Sequence, residues 1–527
     1  MKKIALLVTA FALIIGMTQC KKKAATPVSD NSIQITLSAN NGGNDKTVFD
    51  GTGFTWSGTE IIYVGGNSTG YLGYLTSTSI YDDGKKANFS GSINNPDGNE
   101  TLYFFYLGKG AVKEDPNNLD FSKQDGTIGN VTNYHIAMGS AAYSSTNTYT
   151  DVTFDMKMAI ARFNTKDFDG SVYIHGDGIY SAATVDYNAG TITGTTKGYN
   201  LIGAATTDCY VAMIPQPTPA ETNVKFESSA HSGELTFVRG IEAGKYYCDN
   251  GGSLAVNAGD PITGVVKGLF AVEGASGIIT KMVRFAPGNL RATNNTANSE
   301  DGWTWSFAPT QYSIIGNATA NTAVGNNVVT TAGTVDLFGW VGEHSELAAY
   351  GINNNDESSS YGNTVNEALK RDWGDVAKAA NLGGHNNWCT LTKDQWVYVF
   401  QTRTDASNKY GHGSVNGLNG MIILPDVWVL PSGLSFKSGN SEWANSYTIA
   451  QWALMEENGA VFLLAEGSRN GTEVSNVGSR GCYWSSTSNE QDAGRAYSVY
   501  FDSSSLNLQN NARRYRGYSV RLARVVE

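Results

Sequence analysis

Stretch after stretch of this chain alternates apolar and polar residues with a period of two. "SIQITLSA" sets Ile33, Ile35 and Leu37 on one side, and "DVTFDMKMAI" sets Val152, Phe154, Met156, Met158 and Ile160 on one face with Asp and Lys on the other. Successive side chains of an extended chain point to opposite faces, so the pattern predicts half-buried strands. "TEIIYVGG", "TLYFFYLG", "VYIHG", "CYVAMIP" and "ELTFVRG" read as further strands separated by Asn/Gly/Asp turns. No long amphipathic helix precedes residue 260. The expectation for residues 32–262 is therefore a mainly β region, one antiparallel sandwich or two stacked.

At 527 residues the chain exceeds one ordinary core, which predicts at least two domains. Sixty glycines and twenty-seven tyrosines suit a β-rich protein with many turns. A formal net charge of −11 and the lack of a basic stripe exclude a nucleic-acid partner.

The pattern changes after "AVNAGDPITGVVKG". "TVNEALKRDWGDVAKAANLGG" spaces Val365, Leu369 and Trp373 four apart and predicts a helix ending at Gly383. "TLTKDQWVYVF" opens with a Thr-x-x-Gln capping box at Thr392 and Gln395, and then sets Trp396, Val399 and Phe400 on one face. "TIAQWALMEENG" repeats the device at Thr448 and Gln451 and stops at Gly459. Strands such as "GMIILP", "AVFLLAEG", "GCYWSST", "AYSVYF" and "GYSVRLARVV" surround these helices, so residues 268–527 are expected to form a loop-rich α+β domain.

The first residues read as an address. "MKK", an apolar run and "TQCKKK" make a secretory signal over 1–19, followed at 20–31 by a flexible tether. A cysteine directly after such a run resembles the lipobox of bacterial lipoproteins, with Cys20 the acylated first residue. That resemblance implies a membrane contact through lipid at the outer membrane or cell surface. "CKKKAATP" has no acidic residues after the cysteine, so periplasmic retention stays open.

Two broader resemblances rest on longer stretches. "DGTGFTWSGTEIIYVGG", "ANFSGSI", "TLYFFYLG", "KMAIARFN", "CYVAMIPQPTP" and "GIEAGKYYC" resemble the fimbrillin-like lipoproteins of Bacteroidetes-type bacteria, over about residues 20–260. This implies transthyretin-like sandwiches that act as pilus subunits or anchors. "KMVRFAPGNLR", "WSFAPTQYSIIG", "DLFGWVG", "WCTLTKDQWVYVF", "NGAVFLLAEGSRNG", "GCYWSSTS" and "YRGYSVRLARV" resemble a surface domain related to the C-type-lectin-like, or formylglycine-generating-enzyme-like, fold. That fold implies irregular loops presenting a ligand surface on a small sheet.

Candidate chemistry is sparse. Phosphate-binding loops, H-E-x-x-H, G-x-S-x-G and C-x-x-C are all missing, and the six histidines show no ligand spacing. No metal and no cofactor is therefore expected. His385 and Cys389 lie four apart, and the choice for Cys389 is between nucleophile, metal ligand and disulfide. The formylglycine-generating resemblance implies an enzyme only with two cysteines close together, whereas Cys389 and Cys482 are 93 positions apart. With Cys20 given to lipid, Cys209–Cys248 and Cys389–Cys482 are the pairs that keep each disulfide within one domain. The alternative is buried free thiols. Six tryptophans (Trp303, Trp305, Trp388, Trp428, Trp443 and Trp484) offer candidate stacking surfaces, although most tryptophans are core.

These readings converge on a non-enzymatic surface protein whose C-terminal head takes a glycan or protein ligand. The rivals are an enzyme on the formylglycine-generating scaffold and a purely structural envelope or pilus subunit. The fimbrillin resemblance adds an assembly expectation. "SIQITLSA" would be a removable leading strand, Lys46 in the loop behind it a cleavage candidate, and other pilus subunits the partners. "YSVRLARVVE" leaves no tail to donate, which predicts a tip or accessory position.

Overall fold

A computed structural model describes residues 32–40, 55–216, 218, 220–294, 303–322, 324–325, 328–329, 332–340, 372–439, 442–492 and 494–527. Cys20, the tether and Lys46 lie outside the described residues. The molecule is mainly β. Its first sheet has eight strands, in the order Thr148–Thr153, Ser32–Asn40, Lys86–Asn94, Gly70–Tyr81, Ile61–Gly66, Thr101–Leu107, Ile136–Ala142 and Asp155–Met156. The sheet wraps a core of Ile35, Leu37, Trp56, Phe89, Phe104, Tyr149 and Phe154. Trp56 sits edge-on to Phe89, Tyr106 and Phe154 at 5.2, 5.6 and 5.5 Å between ring centroids, the geometry that aromatic quadrupoles favour.

"DVTFDMKMAI" is not one strand. Its alternation is real, but the chain changes sheets within it. Val152 and Phe154 enter the first core, while Met158 and Ile160 enter a second cluster. The pairing runs from Thr148–Thr153 through Asp155–Met156 to Ala159–Asn164, each segment with different partners. An extended crossing keeps the period of two, so periodicity alone could not find the break.

A second β unit follows. The sheet containing Ala159–Asn164 and Cys209–Met213 faces the sheet containing Ser171–Gly176 and Thr222–Glu227, with Phe163, Val172, Val211 and Phe226 packed between them. The opposite face of Ala159–Asn164 and Cys209–Met213, with Ile160, Tyr210 and Ala212, packs onto Tyr63, Phe105 and Leu107 of the first sheet. The two units are thus stacked through a shared apolar layer.

The C-terminal region is built from several small sheets and short helices. Thr392 and Gln395 close their predicted capping box at the start of Lys393–Val397, and Thr448 and Gln451 close theirs before Ile449–Glu457. Trp396, Val399 and Phe400 share one buried face as expected, although the helix continues as a π-turn over Tyr398–Thr402. Of the helix that the spacing predicts, Val365 and Leu369 lie outside the described residues, and Trp373 opens the described helix Trp373–Ala379. Asp372 is its N-cap in extended backbone, accepting from the Gly374 amide, and the helix ends before Asn381, which turns left-handed at φ 48°. Leu522–Val525 runs between Ile278–Phe285 and Trp388–Thr390, so the last strand joins the first and middle parts of the region.

Candidate functional site

Two places bring separated parts of the chain together in a way that bears on function. The first is the seat of the leading strand Ser32–Asn40. It pairs antiparallel with Lys86–Asn94, with Leu37 opposite Phe89, and parallel with Thr148–Thr153, with Leu37 opposite Tyr149. It is therefore an interior strand. Ile35, Leu37 and Ala39 are fully buried, each pointing into the first core as the alternation requires. Burying Ile35 and Leu37 contributes about 1.5–3 kcal/mol apiece by area.

The second is the junction between the second β unit and the C-terminal region. Arg284, near the end of Ile278–Phe285, is 1% exposed and reaches across this junction. Its guanidinium donates to the carbonyls of Ser228, Ser229 and Lys267 and, at 3.1 Å, to the Glu227 carboxylate. Burial lowers the Arg284 pKa and raises that of Glu227, while the ion pair opposes both shifts. Beside this pair, Tyr199 donates to the Val526 carbonyl at 2.7 Å, and Tyr173, Leu269 and Met282 close an apolar contact.

A cleft of about 200 Å³ opens along this junction. Tyr173, Leu269, Pro425, Val427 and Val429 give it apolar walls, and Asp169, Ser171, Ser229, Glu457 and Asn458 are polar residues at its lining. Asp169 is already committed. It accepts from the Ser228 and Ser229 hydroxyls, the Ala230 amide and His231 Nδ1. Burial works to raise its carboxyl, but those hydrogen bonds outweigh it and hold the pKa at about 2. Glu457 is paired with Lys267. Val429 is 70% exposed, and Ile449 and Leu454 are exposed on the outer side of the neighbouring helix.

The predicted disulfides are not formed: Cys209, Cys248, Cys389 and Cys482 are all free thiols. Strand alternation explains both misses. In Trp388–Thr390, Trp388 points into the cluster that holds Cys482, so Cys389, one residue on, points away and donates to the Ala523 carbonyl at 3.4 Å. Cys209 points into the core of the second unit with Tyr247, so Cys248, one residue beyond Tyr247, falls on the other side. Nor do His385 and Cys389 form a pair. His385 Nε2 is 2.7 Å from the Thr263 carbonyl, and burial, reinforced by the Asp372 charge, pushes the Cys389 thiol up to about 12, away from nucleophilic use.

The tryptophan surfaces also need correction. Trp388 and Trp484 are core residues, 0% and 1% exposed, and Trp303, Trp305, Trp428 and Trp443 are partly buried against the apolar clusters. Trp443 is the least ordinary of them. It has a left-handed backbone at φ 53° and lies edge-on to His412 at 5.4 Å. Among the described residues no group of three His, Cys, Asp or Glu side chains could hold a metal ion, and no helix is long and apolar enough to cross a membrane.

Sequence reasoning missed the junction residues. Arg284 sits in an ordinary-looking strand, "KMVRFAP", where a charged residue at an alternating position reads as solvent-facing. Its one available signal was the apolar residues two positions away on its own face, Met282 and Ala286, both fully buried.

No family model matches the chain, and no curated protein matches it. Several solved structures are similar in shape. A candidate cell adhesion protein from Bacteroides uniformis aligns at 16% identity over 43% of this chain and 97% of its own, with a TM-score of 0.28. A fimbrial assembly protein from Parabacteroides distasonis aligns at 10% identity over 48% and 96%, with a TM-score of 0.25. The tip fimbrial protein Mfa3 from Porphyromonas gingivalis aligns at 9% identity over 39% and 81%, with a TM-score of 0.21. With TM-scores below 0.5, these likenesses do not by themselves assign a role to this chain.

Proposed function

We propose that the chain is a non-enzymatic cell-surface lipoprotein, anchored through Cys20, that serves as a pilus tip or accessory adhesin. Its C-terminal region is the head, of C-type-lectin-like kind, and takes a glycan or protein ligand. The observation that carries this reading is the seat of the leading strand. Removing Ser32–Asn40 would leave Lys86–Asn94 and Thr148–Thr153 with unpaired edges on either side of an apolar trench containing Phe89, Ile93, Tyr149 and Val152. Such a trench gives an incoming strand both ladder hydrogen bonds and side-chain burial. The strand directly follows the tether that the sequence assigns to the lipid, and Lys46 follows it as the cleavage candidate. The head assignment is supported by the order of capped helix Lys393–Val397, Trp-bearing strand Arg480–Ser488 and closing strand Leu522–Val525. The high thiol pKa of both Cys389 and Cys482, about 12 from burial, speaks against the rival enzyme on a formylglycine-generating scaffold.

The complete integration of the leading strand also favours a second reading, an uncut lipoprotein held at the envelope. Immunogold labelling of cells, with N-terminal sequencing of the mature protein, separates the two. Label at filament ends and an N-terminus beyond Lys46 support the tip adhesin. Label confined to the envelope and a lipid-bearing Cys20 support the uncut form, and label spaced regularly along filaments overturns the tip position. Membrane partitioning that survives Cys20→Ala would remove the lipid anchor from either reading. A glycan array probed with the full chain tests the head.

A further inference from the structure

The C-terminal core buries two carboxyl groups that the surface reading above does not use, Glu466 and Asp336, both 0% exposed. Each has one oxygen fully served. Glu466 Oε2 accepts from Asn289 Nδ2 at 3.0 Å and from the Ser519 hydroxyl. Asp336 Oδ1 accepts from Asn321 Nδ2 at 2.7 Å, and the Asp336 amide donates back to Asn321 Oδ1 at 3.1 Å. The remaining oxygens, Glu466 Oε1 and Asp336 Oδ2, are buried with no hydrogen-bond donor. A buried carboxylate oxygen with no donor is costly, and a proton on it removes the cost.

The surrounding charges do not meet that need. Arg291 approaches Asp336 Oδ2 only to 3.8 Å and spends a hydrogen bond on the Ser313 carbonyl at 2.9 Å. Arg521 is directed to Gln311 and Asn289 rather than to either carboxylate. Arg469 donates to the carbonyls of Leu337 and Gly471. Tyr483 gives its proton to the Leu464 carbonyl, and Glu456 on the neighbouring helix accepts from Gln311. Neither Arg291 nor Arg521 makes the close contact with Glu466 Oε1 or Asp336 Oδ2 that would stabilise both charges.

We propose that Glu466 and Asp336 together hold one proton at neutral pH, carried on Glu466 Oε1, and that its release as pH rises loosens the C-terminal core around Asn321 and Ser519. The pair is a proton-dependent lock, and the head is tightest in mildly acidic surroundings. The electrostatics agree with the geometry. Burial and the Asp336 charge raise Glu466 well above the usual carboxylate range, and burial lifts Asp336 to about 6 against the pull of Asn321 and Arg291. Both pKa values are raised on folding, so the stabilisation is complete below about pH 4 and is lost as pH rises through the folded values.

The test uses the full chain. Denaturant unfolding is followed from about pH 5 to about pH 9, and an infrared spectrum at neutral pH is searched for the carbonyl stretch of a protonated carboxylic acid. For the C-terminal transition, the folded-to-unfolded ratio should fall by up to about tenfold per pH unit for one proton released. Glu466→Gln, which keeps the shape of the neutral acid, should flatten that dependence and remove the infrared band. A wild-type profile that is flat over this range, or a Glu466→Gln profile as steep as wild type, overturns the proposal. If Glu466→Gln does not fold, the wild-type infrared spectrum decides: a buried-acid band supports the lock, and no band at neutral pH sinks it.

Discussion

The first β sheet and the C-terminal region bury polar groups in opposite ways. In the first sheet the buried carboxylates are local turn caps. Glu60 accepts from the Ser57 and Gly58 amides, and Glu100 from those of Ser68, Thr69 and Asp97. No lysine or arginine is buried among the described residues before 262. In the C-terminal region Arg284, Arg403, Arg469, Arg514 and Arg521 are all buried. Most of them donate to backbone carbonyls: Arg403 to Val399 and Leu424, Arg469 to Leu337 and Gly471, Arg514 to Arg495. A long regular sheet satisfies its own carbonyls through the ladder. A loop-rich core does not, and buried guanidinium groups stand in for the missing strands.

The largest test of this contrast is Arg284→Ala. It strands Glu227 and three carbonyls at the junction, with an expected loss of about 3–5 kcal/mol as for a broken buried ion pair. Denaturant unfolding should then separate the second β unit from the C-terminal region, and a single unshifted transition would show that the junction is not held by Arg284. Next comes Leu37→Ala, which opens a cavity in a core with no arginine scaffold. It should cost about 2–5 kcal/mol, confined to the first sheet, as read by hydrogen exchange on Lys86–Asn94. Thr392→Ala removes one capping-box acceptor and should cost about 1 kcal/mol, visible as a small shift of the unfolding midpoint.

Acid and alkali should act on different regions. Asp169, held at about 2, contributes stability that is present above about pH 4 and falls away as pH drops below it. Glu466 and Asp336, both raised, lose theirs in the alkaline direction. Region-resolved hydrogen exchange at both extremes should therefore show the junction near Asp169 loosening in acid and the C-terminal core loosening in alkali. The smallest expected effect is that of a reducing agent. With Cys209, Cys248, Cys389 and Cys482 free, the unfolding midpoint should not move, and a free-thiol count on the unfolded, unreduced chain should include all four.

Sequence alone determined what depends on neighbours along the chain. Alternation named the leading strand and most of the strands around it, and two Thr-x-x-Gln boxes placed two helix starts to the residue. Those signals survive because a strand's faces and a helix's first turn are fixed by residues two to four positions apart. Tertiary structure decided the rest. It split "DVTFDMKMAI" between sheets and turned Cys389 and Cys248 away from their expected partners. It also carried Arg284 into a buried junction and set Glu466 beside Asp336, 130 positions away in sequence. Each of those outcomes depends on which face of one element meets another. A period of two says that a face is buried but not against what, because the burial free energy is non-directional and the partner is chosen only when the sheets pack.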